Sequence, residues 1–304
     1  RRRRRREGGC AEGRGRRRRG AVCRPGDAQQ EGDGEGAGGQ AAAGNVTRVL
    51  ATDLNRISQL MQDSFSYETG PYEGVDKLTP AKPFLVRGDY NLNNSNKISF
   101  RYSRLDSSTD VLLSTSSSLG FGRSSGTNTT FLGYKNSNYS ILEDYRSGIG
   151  EWNSTIGNTM SNSLMVGYTT NDESRGDIGT LFPFIDILDG AGVAYTSLGS
   201  EPFTPNNELR YNTFQLQDSF TKYTSKHTIT FGASAERYRS ENVFFPGKQS
   251  AYVYNSLNDF FTDLNGYLAN PNRTTSPVSL RRFQVRYTNI PGQEKPIQPL
   301  PVWY

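Results

Sequence analysis

Beyond residue 44 the chain contains no cysteine, and the whole sequence holds a single histidine, His227. The first absence excludes a disulfide framework, a thiolate metal site and cysteine catalysis from residues 45–304. The second leaves one imidazole on which a Ser-His-Asp arrangement would have to rest, and it sits beside an expected tight turn, where an interfacial polar role fits better. Long apolar runs are missing too. No stretch approaches the roughly 20 apolar residues of a helical membrane span, and hydrophobic residues make up only 34% of the chain. Aromatic residues are absent from residues 1–44, whereas all 35 fall in the remainder, beginning at Phe65.

What is present divides the chain in two. Residues 1–44 carry 12 Arg against 6 acidic residues, net +6, while residues 45–304 carry 23 basic and 24 acidic residues, net −1. The basic balance therefore belongs to the tail alone. With 12 Gly and no aromatic residue, the tail has too little apolar surface to offset its ordering entropy and is read as disordered. The arginine runs at 1–6 and 16–19 match a nucleic-acid or anionic-surface contact. The stronger reading is a foreign leader, because Arg, Gly, Ala and Pro supply 32 of the 44 residues and share GC-rich codons, unlike the rest of the chain. Cys10 and Cys23 lie inside this segment.

The remainder opens with a short helical pattern, Leu54, Ile57, Leu60 and Met61 after Thr52 or Asp53 as a cap, read as a connector. After Pro83 the period changes to two. Phe84, Val86, Tyr90 and Leu92 alternate with Leu85, Arg87, Asp89 and Asn91; a turn at 93–96 follows, and Ile98, Phe100 and Tyr102 return. A second hairpin runs through Ile149, Trp152 and Ile156, turns at 158–161, and returns through Leu164, Val166 and Tyr168. A third has Phe214, Leu216 and Phe220, a turn at 224–226, then Ile229, Phe231, Ala233 and Ala235. A seventh strand shows Phe283, Val285 and Tyr287. Long connections at about 105–138, 170–209 and 240–280 separate the hairpins.

Short and long connections thus alternate strictly, which a transmembrane barrel requires and a sandwich does not. The expected fold is all-β, a partial antiparallel transmembrane β-barrel. Its lipid-facing side chains would be Phe84, Val86, Tyr90, Leu92, Ile98, Phe100, Tyr102, Leu164, Val166, Tyr168, Phe214, Leu216, Phe220, Ile229, Phe231, Phe283, Val285 and Tyr287. Any one such strand, taken alone, better suits a sheet covering a protein core; it is the ordered series that points to a barrel. Asp218 breaks the apolar face of its strand and calls for a strand end or a bulge.

Residues 82–92 followed by 97–102, and 216–223 followed by 226–232, resemble the barrel of TonB-dependent outer-membrane receptors, in particular the Oar-like group. The resemblance runs from about Asn45 to the end. It implies a 22-stranded barrel with an N-terminal plug, importing a solute with energy relayed by the TonB complex, in the bacterial outer membrane. Neither a plug nor a TonB-contacting box is read here, and at roughly 31 residues per strand 22 strands would need nearly 700 residues. The chain is therefore expected to be about a third of a barrel, incompetent for transport alone. Pro296, Pro299 and Pro301 each remove a ladder donor and are expected to prevent a regular final strand before Trp303-Tyr304.

No catalytic constellation, metal site or cofactor is read, and the chain is expected not to be an enzyme. The glycine-containing pieces at 120–123 and 176–179 lack the strand-turn-helix context of a phosphate cradle. The carboxylate pairs Glu143-Asp144 and Asp172-Glu173 read as solvated charge rather than a calcium site. Asn-X-Ser/Thr triplets begin at Asn128, Asn138, Asn153 and Asn272. Three functions stay open: a receptor fragment whose solute, unknown from sequence, meets the long loops and lumen face; an all-β surface binding or adhesion module; and nucleic-acid binding through the arginine tail, the least expected.

Overall fold

The computed structural model describes residues 46–116, 129–290 and 298–303. The expected disorder and foreign origin of residues 1–44, the glycine piece at 120–123 and Asn128 lie outside these residues. In chain order the elements are α1 (Ala51–Phe65), β1 (Ala81–Asn93), β2 (Asn96–Val111), a 3-10 turn (Lys135–Ser137), β3 (Tyr139–Ile156), β4 (Met160–Asp172) and β5 (Arg175–Asp177). There follow β6 (Phe184–Leu188), β7 (Ala194–Leu198), β8 (Asn207–Tyr223), β9 (Thr228–Phe244), β10 (Ala251–Tyr254), α2 (Leu257–Ala269), β11 (Arg282–Gln284) and β12 (Gln298–Trp303).

The large sheet has the order β1-β2-β3-β4-β8-β9-β12, all antiparallel, with β5 added to β3 near Tyr139. Six of its strands are the six expected from period-two patterning, joined by the three expected short turns. The first turn is held by Asn93, whose Oδ1 accepts from Ser95 N at 2.9 Å and Asn96 Nδ2 at 3.0 Å. The second uses Gly157 at φ +59. In the third, Thr224 Oγ1 accepts from His227 N at 2.9 Å. Strands β2, β3, β8 and β9 have 16, 18, 17 and 17 residues, well beyond the roughly 9–11 that cross a bilayer. The surplus lies at the end carrying the long connections.

In their described residues those connections are not irregular. Together with residues 46–79 they fold into a compact cap with its own core. Its sheet has the order β11-β10-β6-β7, with β6 parallel to β10, and β6 is buried along its whole length. Ile185, Ile187, Leu198 and Tyr254 pack with Leu54, Ile57 and Met61 of α1 and Phe260, Phe261 and Leu264 of α2. Phe184, Leu188, Ala251 and Val253 pack instead with Ala194, Phe203, Leu113 and Phe131. Helix α1 is therefore a core element of the cap, not a connector. Neither Thr52 nor Asp53 is its cap: Leu50 is the N-cap without a side-chain bond, and Tyr195 Oη accepts from Leu50 N at 3.0 Å while donating to Asp53 Oδ2 at 2.6 Å. Burial, then that bond to Asp53, raises the Tyr195 phenol to about 12.

Helix α2 lies inside a segment read from sequence as loop. Its signal was legible: Ser256 precedes Leu257, Phe260, Phe261 and Leu264 at helical spacing, and Ser256 Oγ accepts from Asp259 N at 3.1 Å. Replacing Ser256 by alanine should lower cap stability by about 1 kcal/mol, read as a shift in the denaturant midpoint. Its carboxylate Asp263 joins three segments, accepting from Tyr254 Oη at 2.7 Å, Arg273 Nη2 at 2.5 Å and Ser276 Oγ. Burial pushes the Asp263 carboxyl up, but these donors outweigh it and hold it below the usual range.

Two further expectations are corrected. The seventh patterned strand does not join the large sheet: residues 282–284 form β11, paired antiparallel with β10, and Phe283 packs on Tyr252 at a ring distance of 4.9 Å. The seventh place in the large sheet goes to β12, despite its prolines. Pro299 and Pro301 share one parity, so the N–H groups they lack would lie on one edge, and the other edge, through Leu300 and Val302, is free to pair with Ser240 and Tyr238 of β9.

Candidate functional site

The cross-strand registers define two faces of the large sheet. Fifteen of the eighteen residues expected to face lipid share one face: Phe84, Val86, Tyr90 and Leu92 on β1; Ile98, Phe100 and Tyr102 on β2; Leu164, Val166 and Tyr168 on β4; Phe214, Leu216 and Phe220 on β8; Ile229 and Phe231 on β9. Trp152 of β3 joins them. Ile149 does not, since it lies one residue out of phase. Phe283, Val285 and Tyr287 are not on this face: the first belongs to the cap sheet and the other two to no strand.

The band is exposed, from 39% at Leu216 to 67% at Tyr90 and Phe231 for its larger exposed members. Small polar residues on the opposite face, Ser99, Ser147 and Asn171, are buried. The sheet therefore curves toward its polar face. The band also descends across the sheet. On β1 its upper limit is Phe84, whose row leads through Arg104, Arg146, Thr170 and Asn212 to Arg239; on β9 the limit is Ala235, whose row leads back to Gly88. A drop of two rows over five strand pairs is what tilted strands give when an apolar belt stays level.

Above the band, toward the cap, the same face becomes charged. On β2 and β3 the row of Arg104 and Arg146 comes first, Arg237 of β9 standing one row lower beside Phe214, and the next row contains Asp106, Asp144, Asp172, Arg210 and Glu241. Arg104 Nε donates to Asp106 at 2.9 Å. Arg210 lies 3.0 Å from Asp172, 2.8 Å from Glu208 and 3.5 Å from Glu241. Of the carboxylate pairs, Asp144 and Asp172 stand on β3 and β4 and lie against Arg146 and Arg210, Glu143 stands on β3, and Glu173, just past the end of β4, accepts from Asn171 and Tyr211 at 2.7 and 2.9 Å. Within 176–179, Gly176 and Asp177 belong to β5. Asp218 needs neither a strand end nor a bulge: register is continuous through it, and its Oδ1 accepts from Asn162 Nδ2 across the strand at 2.8 Å.

The polar face is rich in hydroxyl and amide groups. On β4 and β8 it presents Ser161, Ser163, Thr169, Asn171, Thr213, Gln215, Gln217, Ser219 and Thr221, with no charge among them. On β1 and β2 Asp89 lies 3.0 Å from Arg87 and 3.1 Å from Lys97, with Arg101 directly opposite Arg87. Near the short turns this face holds a concavity of about 820 Å³ lined by Asn91, Asn93, Asn153 and Ser163 among others. A smaller, apolar cleft of about 320 Å³ opens where the cap meets β2, between Val75, Val111, Leu113, Phe131 and Ile178, with Lys77 and Lys135 in its wall. Its contributors come from four separated stretches, so no local pattern announced it.

Among the described residues no group of three or more His, Cys, Asp or Glu side chains is placed to hold a metal ion, and no helix is long and apolar enough to cross a membrane. The hydrogen bonds found at His227 are the backbone bonds of its turn with Thr224. A family model described as an outer membrane beta barrel domain matches residues 8–287. Comparison with curated proteins and with solved structures gives no match.

Proposed function

Since this chain belongs to the outer-membrane β-barrel domain family and is a protein of the bacterial outer membrane, we propose that it is a segment of a TonB-dependent receptor barrel that takes up a solute. In this reading the apolar band meets lipid, the polar face lines the lumen, the short turns face the periplasm and the cap stands outside the cell. The TonB complex would supply energy to the whole receptor through a region other than this sheet. Solute recognition would fall to the hydroxyl- and amide-rich lumen face and to the cleft at the cap. No nucleic acid is required as a partner, and no catalysis is invoked.

The observation that carries the lipid-facing part is the apolar band, exposed, bounded by charge, and descending across the strands as tilt demands. A sheet covering a protein core would have these side chains buried. Trp152, 47% exposed within the band, provides the test. With Trp303 replaced by phenylalanine, Trp152 is the sole tryptophan and is excited selectively at the red edge of the aromatic absorption. In phosphatidylcholine vesicles brominated on the acyl chains its emission should fall by at least half, while aqueous iodide leaves it unchanged. Quenching by iodide but not by bromine would overturn the membrane-spanning reading and favour the surface binding module.

A further inference from the structure

We infer that the paired guanidinium groups of Arg104 and Arg146, with the trough beneath them on β3, form a seat for one phosphate-bearing membrane lipid. The inference rests on the reading of this face as lipid-facing and adds to it a particular headgroup chemistry. Three features converge on it. First, Arg104 and Arg146 stand directly opposite each other on β2 and β3, an arrangement that is unfavourable for like charges unless something negative lies between them. The carboxylates of the next row meet this need only in part. Arg104 is held by Asp106 in a fork, Nε on Oδ1 at 2.9 Å and Nη2 on Oδ2, which leaves Nη1 and the outer Nη2 hydrogen to a further anion. Arg146 has Asp144 at 2.6 Å and Asp106 at 3.8 Å, yet Asp144 Oδ1 makes no hydrogen bond, so the Arg146 donors are near that carboxylate without being aligned on it. Each guanidinium has five N–H donors, and both side chains are more than 40% exposed.

Second, on β2 and β3 the two arginines are the first charges above the band, and the aspartates stand beyond them. A lipid phosphate at the edge of the hydrocarbon layer meets the cations before the anions. Third, directly below Arg146 the same face of β3 carries Gly148 and then Gly150, whose row neighbours are Tyr102 and Tyr168, and Phe100 and Val166. A Cβ at Gly148 would meet nothing closer than Phe100 at 3.9 Å, and one at Gly150 nothing closer than 4.0 Å. Two glycines between Phe100 and Tyr102 on one side and Val166 and Tyr168 on the other leave a furrow along the strand, open toward the membrane and ending at the arginines. Its chemistry suits an acyl chain with a phosphate head, which the planar fork of arginine recognises better than a lysine would.

The test uses the full chain and vesicles of phosphatidylcholine with or without a minor fraction of phosphatidic acid, reading the gain in affinity that the phosphate lipid confers. Arg104→Gln/Arg146→Gln should reduce that gain roughly tenfold. The charge-matched Arg281→Gln/Arg282→Gln, in the cap segment, should leave it unchanged. Gly150→Leu, which fills the furrow but keeps both arginines, should also reduce it. The arginine-rich residues 1–44 are common to all variants and cancel. An equal gain for all of them would overturn the inference while leaving the lipid-facing reading intact. Failure of the unaltered chain to bind even phosphatidylcholine vesicles would overturn both. Loss of the gain on adding inorganic phosphate at constant ionic strength would identify a free-phosphate site and overturn the lipid assignment.

Discussion

Gly199→Ala is expected to unfold the cap while leaving the large sheet paired. Gly199 sits at φ +88 just after β7, and a Cβ there would lie 1.9 Å from the carbonyl oxygen of Pro183 and 2.7 Å from its carbonyl carbon. Neither atom belongs to a flexible side chain. The two segments are drawn together by Ser200 N donating to Phe182 O at 3.1 Å and Phe182 N donating to Ser200 Oγ at 3.2 Å, immediately before β6 begins. Relief of the clash must displace the start of a strand buried on both sides, so the cost should reach roughly 4 kcal/mol or more. Gly190→Ala is the control. Gly190 has nearly the same backbone angle, φ +89, with nothing within 4 Å of its Cβ position, and should cost only the left-handed backbone term, about 1–2 kcal/mol. Denaturant unfolding followed by near-ultraviolet dichroism, together with protease cleavage within residues 180–290, would measure both. Equal effects of the two substitutions would mean that the close approach at Pro183 is not what holds the cap.

Arginine placed in the middle of the band should be costly, and one placed on the opposite face should not. Val166 is flanked in its row by Gly150 and Leu216, with Gly148, Tyr168 and Phe214 in the row above and Trp152, Leu164 and Asp218 in the row below, the last already engaged by Asn162. At that position Val166→Arg should destabilise the inserted sheet by about 2–4 kcal/mol. Gln217 is also exposed, but it points to the polar face beside Met165 and Ser234, and Gln217→Arg should be tolerated within about 0.5 kcal/mol. The comparison is informative because the two positions are alike in exposure to solvent and differ only in what the membrane reading places against them. The fraction of chain remaining in vesicles after urea extraction gives the readout. Indifference to both substitutions would point to a water-facing sheet.

The interior of the six patterned strands was legible because a strand's facing depends on parity alone. Phe84 to Leu92 and Ile98 to Tyr102 alternate by themselves, and a turn such as 93–96 is closed by its own asparagines. Strand ends were less legible: β8 begins at Asn207 and β9 runs to Phe244, because their outer portions are held by partners such as Glu241 and Arg210 rather than by an apolar rhythm. Parity also says nothing about which sheet a strand joins. Phe283, Val285 and Tyr287 carry the right rhythm, yet the partner available to residues 282–284 is β10, and the place beside β9 goes to residues 298–303.

The sequence by itself therefore determined an antiparallel sheet with one apolar and one polar face and with short turns at one end only, since each of these is written in contacts between near neighbours. Only the tertiary structure decided the cap, the descending outline of the band and the rows of charge above it. Leu54, Tyr134, Ile187 and Phe260 meet in one core although about 200 residues separate the first from the last, and Arg104 faces Arg146 only once β2 and β3 have fixed their register. A long-range contact leaves no period in the chain, because it is the closure of the intervening segments, not the spacing of the residues, that brings its members together.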